Sequence, residues 1–293
     1  MKIVFIGCVD FSSCCLEALI ALDANIIGVC TLETSSVNSD HVDLTAIAEK
    51  NSIPVCYAKD INSTQTTAWI RRLKPDIIFC LGWSRLIKTE LLQMPPMGVV
   101  GFHPSALPKN RGRHPIIWSI VLGLDKTAST FFIMDEGADS GHILSQRPVN
   151  IKLDDNASSL YDRITETAIA QIEEFLPLLI ARTYSLHPQD HSLANNWRKR
   201  GAIDGQIDWR MSAKNIYNLV RGLAHPYVGA HFMHNGVSIK VWKCKIVTDI
   251  SDHIEPGKIL RLGESGPIIK AGENAVELVS FHPKVTLNVK EYL

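Results

Sequence analysis

The sequence predicts an α/β fold, a Rossmann-like, doubly wound and mostly parallel sheet, followed by a small β-rich C-terminal domain resembling an OB barrel. From residue 1, short β-branched runs alternate with helix-length amphipathic segments, and from residue 212 short strands follow one another closely. Strands that alternate with helices indicate βαβ units, whereas closely spaced short strands indicate a small antiparallel barrel or sandwich. A chain of 293 residues is long enough for one large and one smaller domain.

The first part of the chain supplies the elements of the parallel sheet. Apolar runs predict strands and the segments between them predict helices, in the order KIVFIG, SCCLEALIAL, NIIGVCTL, DLTAIAEKN, IPVCYA, TTAWIRRLK and PDIIFCLGW. GVVGFH and STFFIMD extend the sheet. Residues 156–181 predict a long helix that closes the domain, with Asn156 as N-cap and an apolar stripe through Leu160, Ile164, Ala168, Ile172 and Leu176.

The C-terminal third changes in character. Residues 186–211 are polar and rich in turn residues, which predicts a linker between a domain at 1–185 and a domain at 212–293. One helix, SAKNIYNLVRGLA, precedes the strands VSIKVWKCKIV, GKILRLG, PIIKAG and AVELVSF. Gly, Asn and Asp turns separate these strands, as in a small all-β domain.

Charge and cysteine content limit the possible classes. Thirty basic and 30 acidic side chains give a net charge of zero, so no global field attracts nucleic acid. The seven cysteines form no C-x-x-C and no zinc-site spacing, which predicts reduced thiols, a reducing compartment and no metal. The sequence begins without a signal-peptide pattern, and no apolar run reaches the roughly 18 to 20 residues that cross a bilayer. We therefore expect a soluble, cytoplasmic protein with no membrane partner.

Polar side chains that follow the strands are the candidates for an active site. A doubly wound sheet binds ligands at the carboxyl ends of its strands, but GCVDFS after the first strand lacks the G-x-G-x-x-G of a dinucleotide fold. His103 follows one strand and Asp139 another. Together they would form a general acid/base pair in which the carboxylate orients the imidazole. The alternative is a histidine that only bonds to local backbone.

The segments that carry these two residues resemble a known family. FHPSALPKNRGRHPIIW and MDEGADSGHILSQ are similar to the formyltransferases that use 10-formyltetrahydrofolate, in which Asn-x-His leads into Ser-Leu-Leu-Pro-x-x-Arg-Gly and an Asp lies two residues before a Gly. The resemblance continues through RKRGAIDGQIDW and VRGLAHPYVGAHF to the last strands. It implies an N-formyltransferase with 10-formyltetrahydrofolate as co-substrate, no metal, and His103 and Asp139 as catalytic residues. His103 would donate to the oxyanion, and Asp139 would hold His103 and help to deprotonate the attacking amine.

The resemblance also implies the binding residues. The family's pterin ring enters at the strand end FCLGWSRLI, and the cofactor-binding candidates are Leu81, Gly82, Trp83, Leu86, Gly137 and Ala138. Trp83 could equally be a core aromatic under a loop. The candidates for substrate binding are Asn110, Arg111, Lys199 and Arg200. These basic residues could instead be solvated or paired, and Arg111, at the family's Arg-Gly position, is the one expected to brace the site.

One position departs from the family pattern, because the Asn two residues before the histidine is Gly101. Loss of one oxyanion donor typically costs about 2.7 to 4 kcal/mol of transition-state stabilisation. Three explanations are open. Another group fills the space, with Asn110, His114, a backbone N–H or a water as candidates; the glycine makes room for a bulkier substrate; or the chain is a binding protein that has lost turnover.

Two classes of acceptor fit the resemblance. Methionyl-tRNA formyltransferases need a basic surface, and their loop after the second strand is rich in Arg and Lys. The corresponding residues here, 32–44, contain no Arg or Lys. PKNRGRHPIIW is similar to the sugar N-formyltransferases, where Arg-Gly-Arg and a Trp follow. We therefore expect the protein to formylate a nucleotide-linked amino-deoxy sugar, a precursor of glycan or lipopolysaccharide, and not nucleic acid. Because the sugar enzymes of the family are commonly dimers, the resemblance also implies a homodimer. The alternatives are methionyl-tRNA formyltransferase, a non-catalytic folate or nucleotide-sugar binding protein, and a hydrolase that releases formate.

Overall fold

Strands and helices alternate along the first part of the chain in the computed structural model, which describes residues 1–35 and 38–293. The elements are β1 (Ile3–Ile6), α1 (Asp10–Ala21), β2 (Ile26–Thr31), α2 (Thr45–Lys50), β3 (Val55–Tyr57), α3 (Thr64–Leu73), β4 (Ile77–Cys80), α4 (Thr89–Leu92), β5 (Val99–His103), β6 (Arg111–Gly112), α5 (Pro115–Val121), β7 (Lys126–Ile133), β8 (Ile143–Asn150) and α6 (Ala157–Ala181). Each predicted strand up to residue 133 lies within or overlaps an observed one.

Seven of these strands form one sheet in the order β3-β2-β1-β4-β5-β7-β8. The first five in that order are parallel, and β7 runs antiparallel to β5. The strand order reverses between β1 and β4, which is the switch point where open α/β sheets bind ligands. The predicted doubly wound, mostly parallel sheet is confirmed.

Burial explains why these segments take these positions. Strands β1 and β4 are buried along their whole length, as expected for the central strands of a sheet covered on both faces. Helix α6 buries the predicted apolar stripe completely or nearly so. The side-chain oxygen of Asn156 accepts the backbone N–H of Ser159 at 3.0 Å, which is the predicted N-cap.

The C-terminal part contains β9 (Asn196–Trp197), α7 (Ala213–Gly222), β10 (Ala230–His234), β11 (Val237–Val247), β12 (Ile259–Leu262), β13 (Pro267–Lys270) and β14 (Ala275–His282). The last five strands form an antiparallel sheet in the order β10-β11-β14-β13-β12. Helix α7 buries Ile216, Leu219 and Val220 in the same core as Val241 and Leu278 of this sheet. The predicted strand-rich C-terminal domain is therefore confirmed.

The chain divides into two compact units, each built from three segments. The first unit contains Met1–Pro115, Thr127–Asn150 and Asp162–Trp197, and the second contains Ile116–Lys126, Ile151–Tyr161 and Arg198–Leu293. Residues 186–211, predicted as a linker, include β9 and two short 3-10 turns. Among residues 1–35 and 38–293, no helix combines the length and the apolar character needed to cross a membrane.

Candidate active site

His103 is the last residue of β5 and is almost fully buried. Its Nε2 lies 2.8 Å from the backbone oxygen of Asn110. Because a carbonyl oxygen only accepts hydrogen bonds, this contact places a proton on Nε2. The other ring nitrogen, Nδ1, faces the Oδ2 atom of Asp139 at 3.5 Å. The structure therefore brings together the two residues predicted to be catalytic.

Asp139 lies in the turn between β7 and β8, and its side chain is more exposed than that of His103, at 20% against 6%. Its Oδ2 accepts the backbone N–H of Gly112 at 2.9 Å. The residue has a left-handed backbone with φ of 54°. Residues other than glycine adopt that conformation mainly where their surroundings enforce it. Asp139 is thus a fixed carboxylate with one side on the imidazole and access to solvent.

The loop from Asn110 to His114 has an unusual backbone. Asn110, Gly112 and His114 all have positive φ, at 64°, 104° and 56°. Strand β6 in this loop pairs in parallel with β9, and a Cβ on Gly112 would collide with the backbone oxygen of Trp197. The side-chain oxygen of Asn195 also accepts the N–H of Asn110 at 2.9 Å. Asn195 and Trp197, which lie in the predicted linker, therefore fix the loop whose backbone oxygen at Asn110 binds His103.

A second layer of contacts supports Asp139. Gln189 is buried, and its Nε2 donates to the backbone oxygens of Asp139 and Gly141 at 2.9 and 2.7 Å. Its Oε1 accepts from Arg111 at 2.6 Å, and the same guanidinium nitrogen donates to Nδ1 of His191 at 3.0 Å. Arg111 is thus a buried brace, whereas its proposed contact with substrate stays a prediction. Sequence reasoning missed Gln189, because a lone Gln in a polar segment carries no motif.

The side chains of Met134 and Phe132 surround the position of Gly101. A Cβ at residue 101 would lie 2.7 Å from Cγ of Met134 and 3.0 Å from the ring of Phe132. Real Cβ atoms almost never approach a neighbour at 2.7 Å. Apolar side chains therefore occupy the space beside Gly101, and neither can donate a hydrogen bond to an oxyanion. A replacement oxyanion donor, room for a bulkier substrate and loss of turnover all stay predictions.

The predicted cofactor-binding residues Leu81, Gly82 and Trp83 directly follow strand β4. Ser12 Oγ donates to the backbone oxygen of Leu81 at 2.7 Å, which ties this strand end to helix α1. Gly82 has φ of 72°, a conformation that glycine adopts without strain. Trp83 packs partly buried against the hydrophobic core under the sheet. Its indole N–H is buried and has no hydrogen-bond partner among the described residues.

The remaining cofactor-binding candidates are exposed. Leu86 has 77% of its surface accessible, which is unusual for a large apolar side chain. Gly137 and Ala138 lie in the exposed turn before Asp139, where the N–H of Gly137 donates to Oδ1 of Asp135 at 3.0 Å. These three residues are therefore accessible to a ligand, and their role in binding stays a prediction.

The basic residues near the site differ in their contacts. Lys109 and Arg113 are exposed, and Arg113 donates to the backbone oxygen of Ser84 at 2.9 Å. The hydroxyl of Ser84 in turn donates to Oδ1 of Asn38 at 2.8 Å. The stretch 32–44, which lacks Arg and Lys, includes two residues, 36 and 37, that lie outside the described part of the chain.

Lys199 and Arg200, predicted to bind substrate, belong to the second unit. Lys199 is exposed, whereas Arg200 is buried with its guanidinium 4.6 Å from the ring centre of Trp118. Arg200 also donates to the backbone oxygen of Asp204. The carboxylate of Asp204 pairs with the guanidinium of Arg198, which holds the pKa of Asp204 well below its usual range. Arg200 therefore has a structural role within its unit, and substrate contact by either residue stays a prediction.

No group of three or more metal-ligating side chains occurs within residues 1–35 and 38–293. The site between β5 and the turn before β8 offers a buried imidazole with one nitrogen on a carbonyl and the other beside a carboxylate. Such a pair can accept a proton at the carboxylate and hold positive charge on the ring.

Comparison with known proteins identifies the family. The Formyl transferase family model matches residues 1–175, and the Formyl transferase C-terminal domain matches residues 201–293. A methionyl-tRNA formyltransferase from Geobacter metallireducens is 30% identical over 299 residues, covering 100% of this chain and 95% of that protein.

Two solved structures share the fold. WlaRD, a sugar 3N-formyl transferase crystallised with dTDP and 5-N-formyl-THF, gives a TM-score of 0.71 at 18% identity and covers 97% of this chain and 99% of that one. An N-formyltransferase from Helicobacter canadensis in complex with folinic acid and dTDP-3-aminofucose gives 0.69 at 19% identity, with 95% and 99% covered. With the family match over both parts of the sequence, the chain belongs to the formyl transferase family.

Proposed function

We propose that this protein transfers the formyl group of 10-formyltetrahydrofolate to the primary amine of a nucleotide-linked amino-deoxy sugar. The observation that carries the proposal is the contact between Nδ1 of His103, the last residue of β5, and the carboxylate of Asp139 in the turn between β7 and β8. Formyl transfer to an amine needs a proton acceptor and a stabiliser of negative charge at one place. This pair supplies both.

The roles of the two residues follow from their contacts. The backbone oxygen of Asn110 fixes the ring of His103 through Nε2, so Nδ1 stays directed at Asp139. Asp139, the more exposed partner, accepts the proton that the attacking amine gives up. A protonated Nδ1 makes His103 a cation beside the reacting atoms, where it stabilises charge developing on the formyl oxygen. 10-Formyltetrahydrofolate supplies the formyl group itself.

The end of β4 suits a planar, hydrogen-bonding co-substrate. The buried indole N–H of Trp83 lacks a partner within the described residues, and such a donor costs free energy unless a ligand or water pairs with it. Leu86 offers exposed apolar surface three residues away. We assign this strand end, with Gly137 and Ala138 in the turn before Asp139, to the folate.

The charge of the chain favours an amino sugar over tRNA as the acceptor. The chain carries 30 basic and 30 acidic side chains, and residues 32–44 contain neither Arg nor Lys. An enzyme that binds tRNA gains most of its affinity from contacts between basic side chains and phosphates. The solved structure from Helicobacter canadensis is a complex with dTDP-3-aminofucose, which supports an amino sugar as the acceptor class.

A second candidate acceptor has its own support. The full-length relative at 30% identity is named methionyl-tRNA formyltransferase, and that identity exceeds the 18% and 19% of the sugar enzymes. Methionyl-tRNA is therefore the alternative that the experiment must include.

The test is mass spectrometry of possible acceptors after incubation with the protein and 10-formyltetrahydrofolate. The panel holds dTDP-, UDP- and GDP-linked amino sugars, the same sugars with acetylated amines as controls, and initiator tRNA with and without methionine. A formyl mass increase on a free-amine sugar alone supports the proposal. An increase on methionyl-tRNA alone replaces the sugar by tRNA, and formate release without any amine indicates a hydrolase. Binding of folate and sugar without transfer would indicate a binding protein.

A further inference from the structure

Two cysteines lie directly opposite each other at the edge of the parallel sheet. Cys30 is in β2 and Cys56 is in β3, and the register pairs them as direct neighbours. Strand β3 is the edge strand of the sheet. Neighbouring strands lie about 4.7 to 4.9 Å apart, within the Cα separation of about 4.4 to 6.8 Å that a disulfide spans. Residues paired in this way point to the same face of the sheet.

The two thiols differ in burial and in chemistry. Cys30 is completely buried, whereas Cys56 is half-buried. The groups that act on the Cys56 thiol are the Cys30 thiol on the neighbouring strand and the hydroxyl of Thr66 in the first turn of α3. These two groups lower the pKa of Cys56 to about 7, Cys30 having the larger effect, against partial burial that raises it. The interaction with Cys56, and then burial, raises the pKa of Cys30 well above its usual value.

The hydroxyl of Thr66 is oriented by a neighbouring residue. The hydroxyl of Ser63, the N-cap of α3, donates to the hydroxyl oxygen of Thr66 at 3.0 Å. Thr66 can then direct its own proton to Cys56. A half-buried cysteine with a lowered pKa and a second thiol directly opposite is the kind of cysteine that reacts with oxidants and electrophiles.

We propose that Cys30 and Cys56 form a dithiol site that reacts with hydroperoxides, Cys56 being the attacking thiol and Cys30 the resolving one, and closes to a disulfide. This site is separate from formyl transfer and does not depend on the acceptor.

The reaction balances in two steps. The thiolate of Cys56 attacks one oxygen of hydrogen peroxide, so that an S–O bond forms, the O–O bond breaks, and the departing hydroxide takes a proton to become water. The sulfur of Cys30 then attacks the sulfur of Cys56, forming the S–S bond and breaking the S–O bond. The hydroxyl leaves with the thiol proton of Cys30 as a second water. Two electrons pass from the two sulfurs to the peroxide, which is the oxidant.

The experiment maps the disulfide after treatment of the native full-length protein with hydrogen peroxide. Digestion with trypsin and a Glu-specific protease yields residues 18–33 with Cys30 as its one cysteine, and residues 51–59 with Cys56 as its one cysteine. We expect these two peptides joined, with the loss of two hydrogen atoms, and separated again by a thiol reductant. Cys14 is an internal control, because it is also half-buried and its pKa is raised by burial.

Variants give the second readout. In Cys30→Ala the cross-link disappears, and Cys56 proceeds to sulfinic acid and is alkylated by iodoacetamide several-fold more slowly at pH 7. In Cys14→Ser the cross-link forms as in the parent protein. The proposal is overturned if the parent protein oxidises Cys56 without joining it to Cys30, or if Cys14 reacts before Cys56. Peptide mapping of the parent protein decides these outcomes even if Cys30→Ala fails to fold.

Discussion

At the scale of single residues, Asp139 carries the most specific prediction. Asp139→Asn keeps an oxygen for the N–H of Gly112 but removes the proton acceptor. We expect the formyl transfer rate to fall about a hundredfold to ten-thousandfold, the usual range for loss of a general base. Single-turnover kinetics measure the rate, and thermal unfolding checks that the fold is kept.

Asp135→Asn is the matched control for this prediction. Asp135 lies in the same turn, is exposed, and accepts from Ser140 at 2.6 Å and from the N–H of Gly137 at 3.0 Å. Its amide analogue retains an oxygen for both bonds, so the rate should stay within about twofold of the parent. Equal losses in the two variants would show that the turn, and not the carboxylate of Asp139, is what the reaction needs.

Gly101 gives a prediction about space. The new Cβ in Gly101→Asn meets Cγ of Met134 at 2.7 Å, so Met134 must move or the strand must shift. We expect a loss of stability of about 1 to 3 kcal/mol, as for other overpacked cores, and no gain in transfer rate. Chemical denaturation measures the first quantity and steady-state kinetics the second.

The double variant Gly101→Asn with Met134→Ala tests the cause. If Met134 is the obstacle, its truncation relieves part of the cost, and a double-mutant cycle gives a favourable coupling between the two positions. A rate above that of Gly101→Asn alone would indicate that the amide then serves as an oxyanion donor. Additive effects would instead place the strain on Phe132, whose ring lies 3.0 Å from the same position.

At the scale of elements, the loop carrying β6 and the turn before β8 are joined through Gln189. Gln189→Leu has a similar size but leaves the backbone oxygens of Asp139 and Gly141 without this donor, and leaves His191 as the acceptor for the nitrogen of Arg111 that bound Gln189. Each unpaired buried group costs about 1 to 3 kcal/mol. We expect a lower unfolding temperature and a transfer rate reduced about tenfold, because a misplaced carboxylate slows the reaction.

Gln189→Glu separates the two functions of this side chain. The carboxylate keeps an acceptor for Arg111 but loses the N–H groups that bind Asp139 and Gly141. If support of Asp139 matters, Gln189→Glu loses as much rate as Gln189→Leu. A parent-like rate in Gln189→Glu, with a loss confined to Gln189→Leu, would contradict a role of the turn contacts and assign the effect to Arg111.

The same elements show what the sequence could predict and where it stopped. Strands β1 to β5 are evident as apolar runs bounded by turns, and His103 and Asp139 are found because they follow such runs. The two-residue ladder between β6 and β9 has no periodicity to detect. The place of Met134 beside Gly101 depends on the register that pairs Val100 with Ile133, which the sequence does not encode locally.

At the scale of the whole molecule, each compact unit is assembled from segments that are separated in the sequence. Composition marks residues 186–211 as a boundary, but two earlier segments, Ile116–Lys126 and Ile151–Tyr161, also belong to the second unit. Gly222 of α7 shows why: a Cβ there would lie 3.2 Å from Cγ2 of Ile120 and of Val121 in α5. Such contacts join segments that are distant in the sequence. They arise from packing, so a boundary drawn from local composition cannot predict them.

The net charge of zero leads to a prediction about salt. A nucleotide sugar presents two phosphates, so its KM should rise by less than about tenfold between about 50 and 200 mM salt. Methionyl-tRNA, held by about six to ten phosphate contacts, would lose about a thousandfold or more in affinity over the same range. Initial rates with the preferred acceptor at several KCl concentrations measure the slope of log KM against log salt.

The control is the KM for the formyl donor, measured separately over the same salt range. A steep slope for the acceptor alone would mean that basic side chains are concentrated where it binds, and would favour tRNA over the sugar.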